Sequence, residues 1–283
     1  MTGSYRGFIA AALVATPVAI GVGYATAAAL GLVGPAAGEA VSLRRLVSVS
    51  MEPAVWESIL WTVRVAAAST VLAGLAALAT AAVFRGSKRV DRIAKGAALL
   101  PLPIPHLVAG VLGLMILGQS GLIGRVAFAL GLVQVPADVP ALVYDRAGIG
   151  LILTLAWKEF AFLVLVAWSA LAERGVALEE AARTLGASAW QTFRRITLPV
   201  LLRATMPAAV AVFTFVLGSF EVAALLAPSD PLPLPVLTLE RYTDPALGRR
   251  GDAFVLVLIG IGLSALAVAV HEWMRARWRP VEG

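Results

Sequence analysis

Residues 180–199 of the chain read EAARTLGASAWQTFRRITLP. Good helix formers fill residues 173–185, and Gly186 is suited to end that helix because glycine adopts positive φ without a side-chain clash. Ser188 can cap a second short helix, and Gln191, three residues later, completes a capping-box pattern. The stretch therefore predicts two short helices that meet at a glycine, a compact element that another protein could push.

The chain on both sides of this element is strongly apolar. Hydrophobic residues make up 60% of it and charged residues only 14%, with a mean hydropathy of +0.88, whereas a soluble domain needs more charge to cover its surface. A bilayer core about 30 Å thick requires roughly 20 apolar residues per helix. Six segments qualify: residues 8–33, 59–84, 97–118, 148–171, 203–227 and 253–274. We predict an all-α polytopic membrane protein, with residues 1–283 as a single transmembrane domain.

The basic residues indicate the orientation of the spans. A net charge of +6 and a pI near 10.3 would also suit a nucleic-acid-binding protein. However, Lys and Arg concentrate in residues 85–95, 174–203 and 275–279, so one side of the membrane holds roughly twice as many as the other. We therefore predict that both termini and residues 173–200 are cytoplasmic, and we expect no nucleic-acid partner.

Proline positions predict local departures from helix. Pro101, Pro103 and Pro105 open the third span, so we expect its cytoplasmic end to be kinked or broken. The proline-rich residues 228–235, after the fifth span, predict an extended backbone without helix.

The spacing within residues 180–199 resembles the EAA loop of bacterial ABC-importer permeases, which have the type I importer fold. In that pattern EAA is followed by three residues, G, nine residues, I, one residue and LP. Every defined position is filled here. The residues are Glu180, Ala181, Ala182, Gly186, Ile196, Leu198 and Pro199.

The resemblance implies that a separate ATPase drives the chain. In that family the loop lodges in a groove of the ATPase, so Glu180 and Arg183 would make polar contacts to it. Ala181 and Ala182 would permit close packing, and Gly186 would form the bend. No lysine follows a glycine-rich phosphate-binding loop. We therefore expect a transport subunit, not an enzyme, with no catalytic residues, cofactor or metal of its own; the partner ATPase would bind ATP and Mg.

The resemblance also implies the partners and the location. The complex would contain two permease chains, an ATPase dimer and an external substrate-binding protein in the bacterial inner membrane. The second permease would be a copy or a homologue, and a heterodimer is favoured over a homodimer.

The charged residues Lys158, Glu159 and Glu221 lie inside predicted spans. A charge at the bilayer centre costs at least about 2.5–3.5 kcal/mol, so each requires a partner or a purpose. One hypothesis is that they line the translocation path. The alternative is a buried Lys158–Glu221 ion pair that holds spans four and five together.

Two segments bear on the substrate. Sugar-importing members of that family commonly carry Asp at the position before the motif glycine. This chain has Leu185 at that position, and in this it resembles the permeases for polyamines, iron(III), thiamine, phosphonates, sulfate and molybdate. Residues 218–222, GSFEV, resemble the polyamine, iron and thiamine branch, so we expect a substrate of that class. The alternatives are a sugar or oxyanion permease of the same family, or an ion-coupled secondary transporter whose coupling site is formed by the mid-membrane charges.

Overall fold

The computed structural model describes residues 2–34, 43–84, 86 and 88–277, and every regular element in these ranges is helical. Six stretches are long and apolar enough to cross a membrane: Gly7–Ala29, Pro53–Val83, His106–Ala129, Ile149–Glu173, Ala189–Leu217 and Leu247–Arg277. The predicted all-α, six-span fold is confirmed. The α-helices are α1 Thr2–Ala29, α2 Arg44–Ser50, α3 Pro53–Val83, α4 Arg89–Leu99, α5 His106–Leu117, α6 Leu122–Ala129, α7 Ile149–Ala170, α8 Val176–Thr184, α9 Ala189–Thr192, α10 Leu198–Leu217, α11 Glu221–Leu226, α12 Leu234–Thr243 and α13 Leu247–Arg277.

The described residues form two compact units. One comprises those of Met1–Leu60 and Pro233–Leu266, and the other those of Trp61–Leu232 and Ala267–Gly283. Two of the three unit boundaries fall within the long helices α3 and α13, and the third lies between Leu232 and Pro233, just before α12. Arg85 and Arg279, which contribute to the charge pattern, lie outside the described residues, and the cytoplasmic placement of both termini stays a prediction.

The third span begins later than predicted. α4 ends at Leu99, and the chain passes through turns until α5 starts at His106. Pro101, Pro103 and Pro105 have no N–H donor, and each disfavours helical geometry in the residue before it. A continuous helix from residue 97 is therefore excluded. The predicted break is therefore present, and it separates α4 from α5 completely.

The fifth span ends earlier than the predicted residue 227. α10 stops at Leu217, where Gly218 leaves helical geometry with φ −94° and ψ 1°, and the separate helix α11 begins at Glu221. The proline-rich stretch then runs without helix as far as Pro233. α12 follows, and the prediction missed it; Pro235 lies in its first turn, where the missing N–H removes no intrahelical bond.

Glycines on α5 allow close packing in the second unit. A Cβ on Gly110 would lie 2.9 Å from the Leu225 side chain of α11, and one on Gly113 would lie 2.4 Å from Thr154 Oγ1 of α7. Small residues at helix contacts let backbones approach closely, as is common in membrane bundles. α7 packs on both α5 and α10. It therefore lies in the core of this unit, and its C-terminal end leads directly into the predicted cytoplasmic element.

The first unit contains a network of ion pairs that joins α12 to two other helices. The buried Arg241 guanidinium on α12 contacts Glu52 Oε2 at 2.5 Å and Asp252 Oδ2 on α13 at 3.5 Å. Arg45 Nε of α2 lies 3.5 Å from the other oxygen of Asp252. Four charged side chains from separate segments thus stabilise the packing of α2, α12 and α13.

Candidate coupling element and intramembrane charges

Residues 171–199 form one helical element, called the 171–199 element below. A π-helical turn, Leu171–Gly175, connects α7 to α8; a second, Phe193–Thr197, connects α9 to α10. The two π-helical turns pack against each other and against α8. π-Helical turns inside α-helices are rare and occur frequently at functional sites. The element is therefore joined to the apolar helices α7 and α10 by irregular backbone at both ends.

Gly186 forms the bend between α8 and α9, as predicted. Its φ is +82°, in the left-handed region that favours glycine. The Gly186 N–H donates to the Arg183 carbonyl and the Ala187 N–H to the Ala182 carbonyl, each at 3.0 Å. This bond pair is the Schellman arrangement that ends many helices. A Cβ added at Gly186 would meet nothing within 4 Å, so the backbone conformation alone requires glycine.

Ser188 caps α9 as predicted. Its hydroxyl accepts a hydrogen bond from the Gln191 N–H at 3.3 Å, and the Gln191 side-chain oxygen accepts from the Ser188 N–H at 2.9 Å. This reciprocal capping box fixes the direction in which α9 leaves the bend.

A buried hydrogen bond links the two halves of the element, and the sequence analysis missed it. The Thr197 hydroxyl donates to Glu179 Oε1 at 2.5 Å, and both residues are buried. The neighbouring Glu180, the predicted contact residue, is exposed. Adjacent helical residues point about 100° apart, so Glu179 and Glu180 leave α8 in different directions. The adjacent pair alone does not indicate which of the two carboxylates is buried.

The outer surface of the element carries exposed apolar side chains, of which Leu185 and Trp190 are the most exposed large ones. Leu185 is 87% exposed and Trp190 is 66% exposed, with the Trp190 ring stacked on Phe193. Arg183 is also exposed, 4.0 Å from the Glu179 carboxylate. The other predicted contact positions are exposed or half-buried: Ala181, Ala182, Ile196, Leu198 and Pro199.

Lys158 and Glu159 are both buried in the middle of α7. His106 Nε2, at the start of α5, lies 2.9 Å from Glu159 Oε1, and the His106 ring lies 4.7 Å from the Phe215 ring of α10. Lys158 Nζ lies 3.5 Å from the Leu102 carbonyl oxygen, at the limit of a hydrogen bond. The cluster connects α7 with the proline-rich turn before α5, and the sequence analysis did not assign His106 to it.

Glu221 does not lie on a continuous fifth span. It is the first residue of the short helix α11 and is exposed. Among the described residues no ion pair joins Lys158 to Glu221. The alternative of a Lys158–Glu221 bridge is therefore wrong, because α10 ends at Leu217 and the exposed Glu221 belongs to the separate helix α11.

A family model described as binding-protein-dependent transport system inner membrane component matches residues 54–280. The chain belongs to this family. The molybdenum transport system permease protein ModB of Mycobacterium bovis is 32% identical over 76% of this chain and 78% of its own length. ModB of Escherichia coli is 28% identical over 77% of this chain and 93% of its own length. A probable sulfate transport system permease protein cysT of Chlorella vulgaris is 30% identical over 63% of this chain and 64% of its own length.

Solved structures confirm the fold. A bacterial ABC transporter involved in import of the acidic polysaccharide alginate contains a chain that matches with a TM-score of 0.72 at 17% identity, covering 97% of each chain. At that identity the match establishes the importer-permease fold alone. Together with family membership, it identifies this chain as a membrane transport subunit of an ABC importer and rules out the ion-coupled secondary transporter.

Proposed function

We propose that this chain is the permease through which an ATP-driven ABC importer passes an oxyanion, of the molybdate or sulfate class, into the cytoplasm. The observation that carries the proposal is the set of relatives named for molybdenum and sulfate transport, which match about three quarters and two thirds of the chain. These names favour the oxyanion alternative over the polyamine, iron and thiamine class that residues 218–222 suggested.

The 171–199 element is the proposed contact with the ATPase. Leu185 and Trp190 lie on its outer surface with most of their area exposed to solvent. Removing large apolar side chains from water is favourable by roughly 25 cal/mol of free energy per Å² of apolar area buried. Trp is enriched among the residues that supply most of the binding energy of interfaces. Glu180 and Arg183 flank this pair as polar contacts. ATP and Mg would bind to the ATPase, and its closure would move the element together with α10.

Affinity purification tests the proposed partners. The tagged chain, isolated from its native membranes in mild detergent, is expected to bring down an ABC ATPase, a second permease of different sequence and a substrate-binding protein. Leu185→Asp places a charge where we propose an apolar contact, so the ATPase should be lost while the second permease remains. Leu130→Asp, on another mostly exposed leucine (68% against 87% for Leu185) that lies outside the element, is the matched control. Purification of the folded wild-type chain alone would contradict the proposal.

Lys158 is the proposed oxyanion contact within the membrane. Its ammonium is buried, and no described carboxylate forms an ion pair with it. The adjacent Glu159 carboxylate is instead engaged by His106. An uncompensated positive charge in a low-dielectric region attracts an anion strongly, and intramembrane charges commonly mark substrate pathways. In this proposal Glu159 positions α5 against α7 through its contact with His106. The exposed Glu221 would lie at the end of the translocation path, where α11 begins.

Uptake by proteoliposomes containing the whole complex tests the substrate class and Lys158 together. We expect ATP-dependent uptake of molybdate or sulfate and none of spermidine or maltose. Lys158→Met should lower uptake about tenfold, equivalent to about 1.4 kcal/mol, because it removes the charge and retains the side-chain length. Lys158→Arg should retain more activity. Import of spermidine without either oxyanion would reject the substrate proposal, and full oxyanion uptake by Lys158→Met would reject the role of Lys158.

A further inference from the structure

The bond between Thr197 and Glu179 spans the bend of the 171–199 element. Glu179 lies on α8, before Gly186, and Thr197 is the last residue of the π-helical turn that continues into α10. The two oxygens are 2.5 Å apart, and both residues are buried. Hydrogen bonds to ionised groups are shorter and stronger than neutral ones, and the gain is larger away from water.

The bend itself is held by local bonds, namely the Schellman arrangement at Gly186 and the capping box at Ser188. α8 ends in a glycine with open space around it, and α9 is a single turn of four residues. The exposed residues Leu185 and Trp190 lie at and just after this bend, where a partner would push. Beyond these local bonds, α8 meets the base of α10 through its packing on the second π-helical turn, where the Glu179–Thr197 bond lies.

Thr197 is well placed to supply that connection. It is fully buried, and the helix that follows, α10, packs along α7, which carries Lys158. Through Glu179 and Thr197, a displacement of α8 would reach the base of α10 by a direct side-chain contact. The four-residue α9 is bypassed.

We propose that Glu179 and Thr197 are positioning residues that couple ATPase closure to movement of α10. This proposal rests on the proposed function of the chain as an importer permease. The Glu179–Thr197 bond makes α8, α9 and the second π-helical turn move as one body. Loss of the bond leaves ATPase binding and ATP hydrolysis in place and lowers the amount of solute imported per ATP.

The test is the number of solute molecules imported per ATP hydrolysed by the reconstituted complex. Thr197→Val keeps the shape of the side chain and removes its hydrogen-bond donor, whereas Thr197→Ser keeps the donor. We expect the ratio to fall about tenfold for Thr197→Val, the size of effect for loss of one hydrogen bond to a charged group, and to stay near wild type for Thr197→Ser. ATPase co-purification should remain close to wild type in both variants. The thermal midpoint should fall somewhat for Thr197→Val alone, because its buried carboxylate partner loses a hydrogen bond.

Equal ratios for wild type and Thr197→Val would overturn the proposal, as would equal losses for Thr197→Val and Thr197→Ser. If Thr197→Val does not fold, the absence of cysteine in the chain permits a second measurement. In a Glu179→Cys, Thr197→Cys double variant, a cleavable thiol cross-linker should raise the ratio, and its reduction should lower it again; no change on cross-linking would overturn the proposal. The ratio is measured with whichever solute the wild-type complex imports. If the wild-type complex shows no ATP-dependent import of any solute, that result rejects the proposed function and not the role of the Glu179–Thr197 bond.

Discussion

Gly186→Pro should reduce ATP-dependent import to about a tenth of wild type or less while the chain still reaches the membrane. Gly186 has φ +82° and donates its N–H to the Arg183 carbonyl. Proline fixes φ near −65° and has no N–H, so the bend cannot form and one of its two closing bonds is lost. The measurements are solute uptake by proteoliposomes and ATPase co-purification, each normalised to the amount of folded permease.

Gly131 provides a matched control within the same chain. It follows α6 with φ +70°, donates its N–H to the Phe128 carbonyl at 2.9 Å, and has nothing within 4 Å of an added Cβ. The Leu132 N–H donates to the Ala127 carbonyl, which completes the same Schellman arrangement. Gly131→Pro therefore imposes the same local strain outside the 171–199 element, and we expect it to transport normally. Equal transport losses in the two variants would show that the effect is general destabilisation.

The bend at Gly186 was predictable because its determinants are local. A helix terminated by glycine and a Ser–Gln capping box involve residues within three or four positions of each other, and their geometry depends little on the rest of the fold. The six spans were predictable for a similar reason, since bilayer thickness sets the length of each apolar run. In both cases the physical constraint acts on a short, continuous segment.

The intramembrane contacts were not predictable because they depend on where helices break and pack. The proline-rich turn sets the start of α5 at His106, and only this start places the imidazole beside Glu159, 53 residues further along the chain. Similarly, the end of α10 at Leu217 removes Glu221 from the helix that the sequence predicted would carry it. A hydropathy window detects the apolar run and is insensitive to a break of three residues within it.

The substrate class illustrates a different limit. Residues 218–222 predict a substrate of the polyamine, iron and thiamine class, and they contain a single carboxylate, Glu221. In the structure Glu221 is exposed, Glu159 is engaged by His106, and the buried charge without a carboxylate partner is that of Lys158. The sign of the charge available to a substrate therefore depends on pairing, which a count of acidic and basic residues does not reveal.

The second large effect is expected at Arg241, whose guanidinium joins α12 to Glu52 and Asp252 in the first unit. Arg241→Met keeps much of the side-chain volume and removes the charge, so it leaves two carboxylates without this partner. Breaking a buried ion pair from one side typically costs about 3–5 kcal/mol. Glu52 is 35% exposed and regains some hydration, so we expect a loss of about 2–4 kcal/mol in the free energy of unfolding.

Arg249→Met is the matched control for that measurement. Arg249 lies close by in sequence and also pairs with a carboxylate, Asp244 at 3.5 Å, yet its side chain is 51% exposed. Exposed ion pairs contribute only about 0–1 kcal/mol, because water competes for both charges and ordering the side chains costs entropy. Thermal unfolding of the purified permease in detergent should therefore show a clear fall in midpoint for Arg241→Met and almost none for Arg249→Met. Equal shifts for the two variants would mean that burial of Arg241 does not determine its contribution, and that the network around Asp252 does not stabilise the first unit.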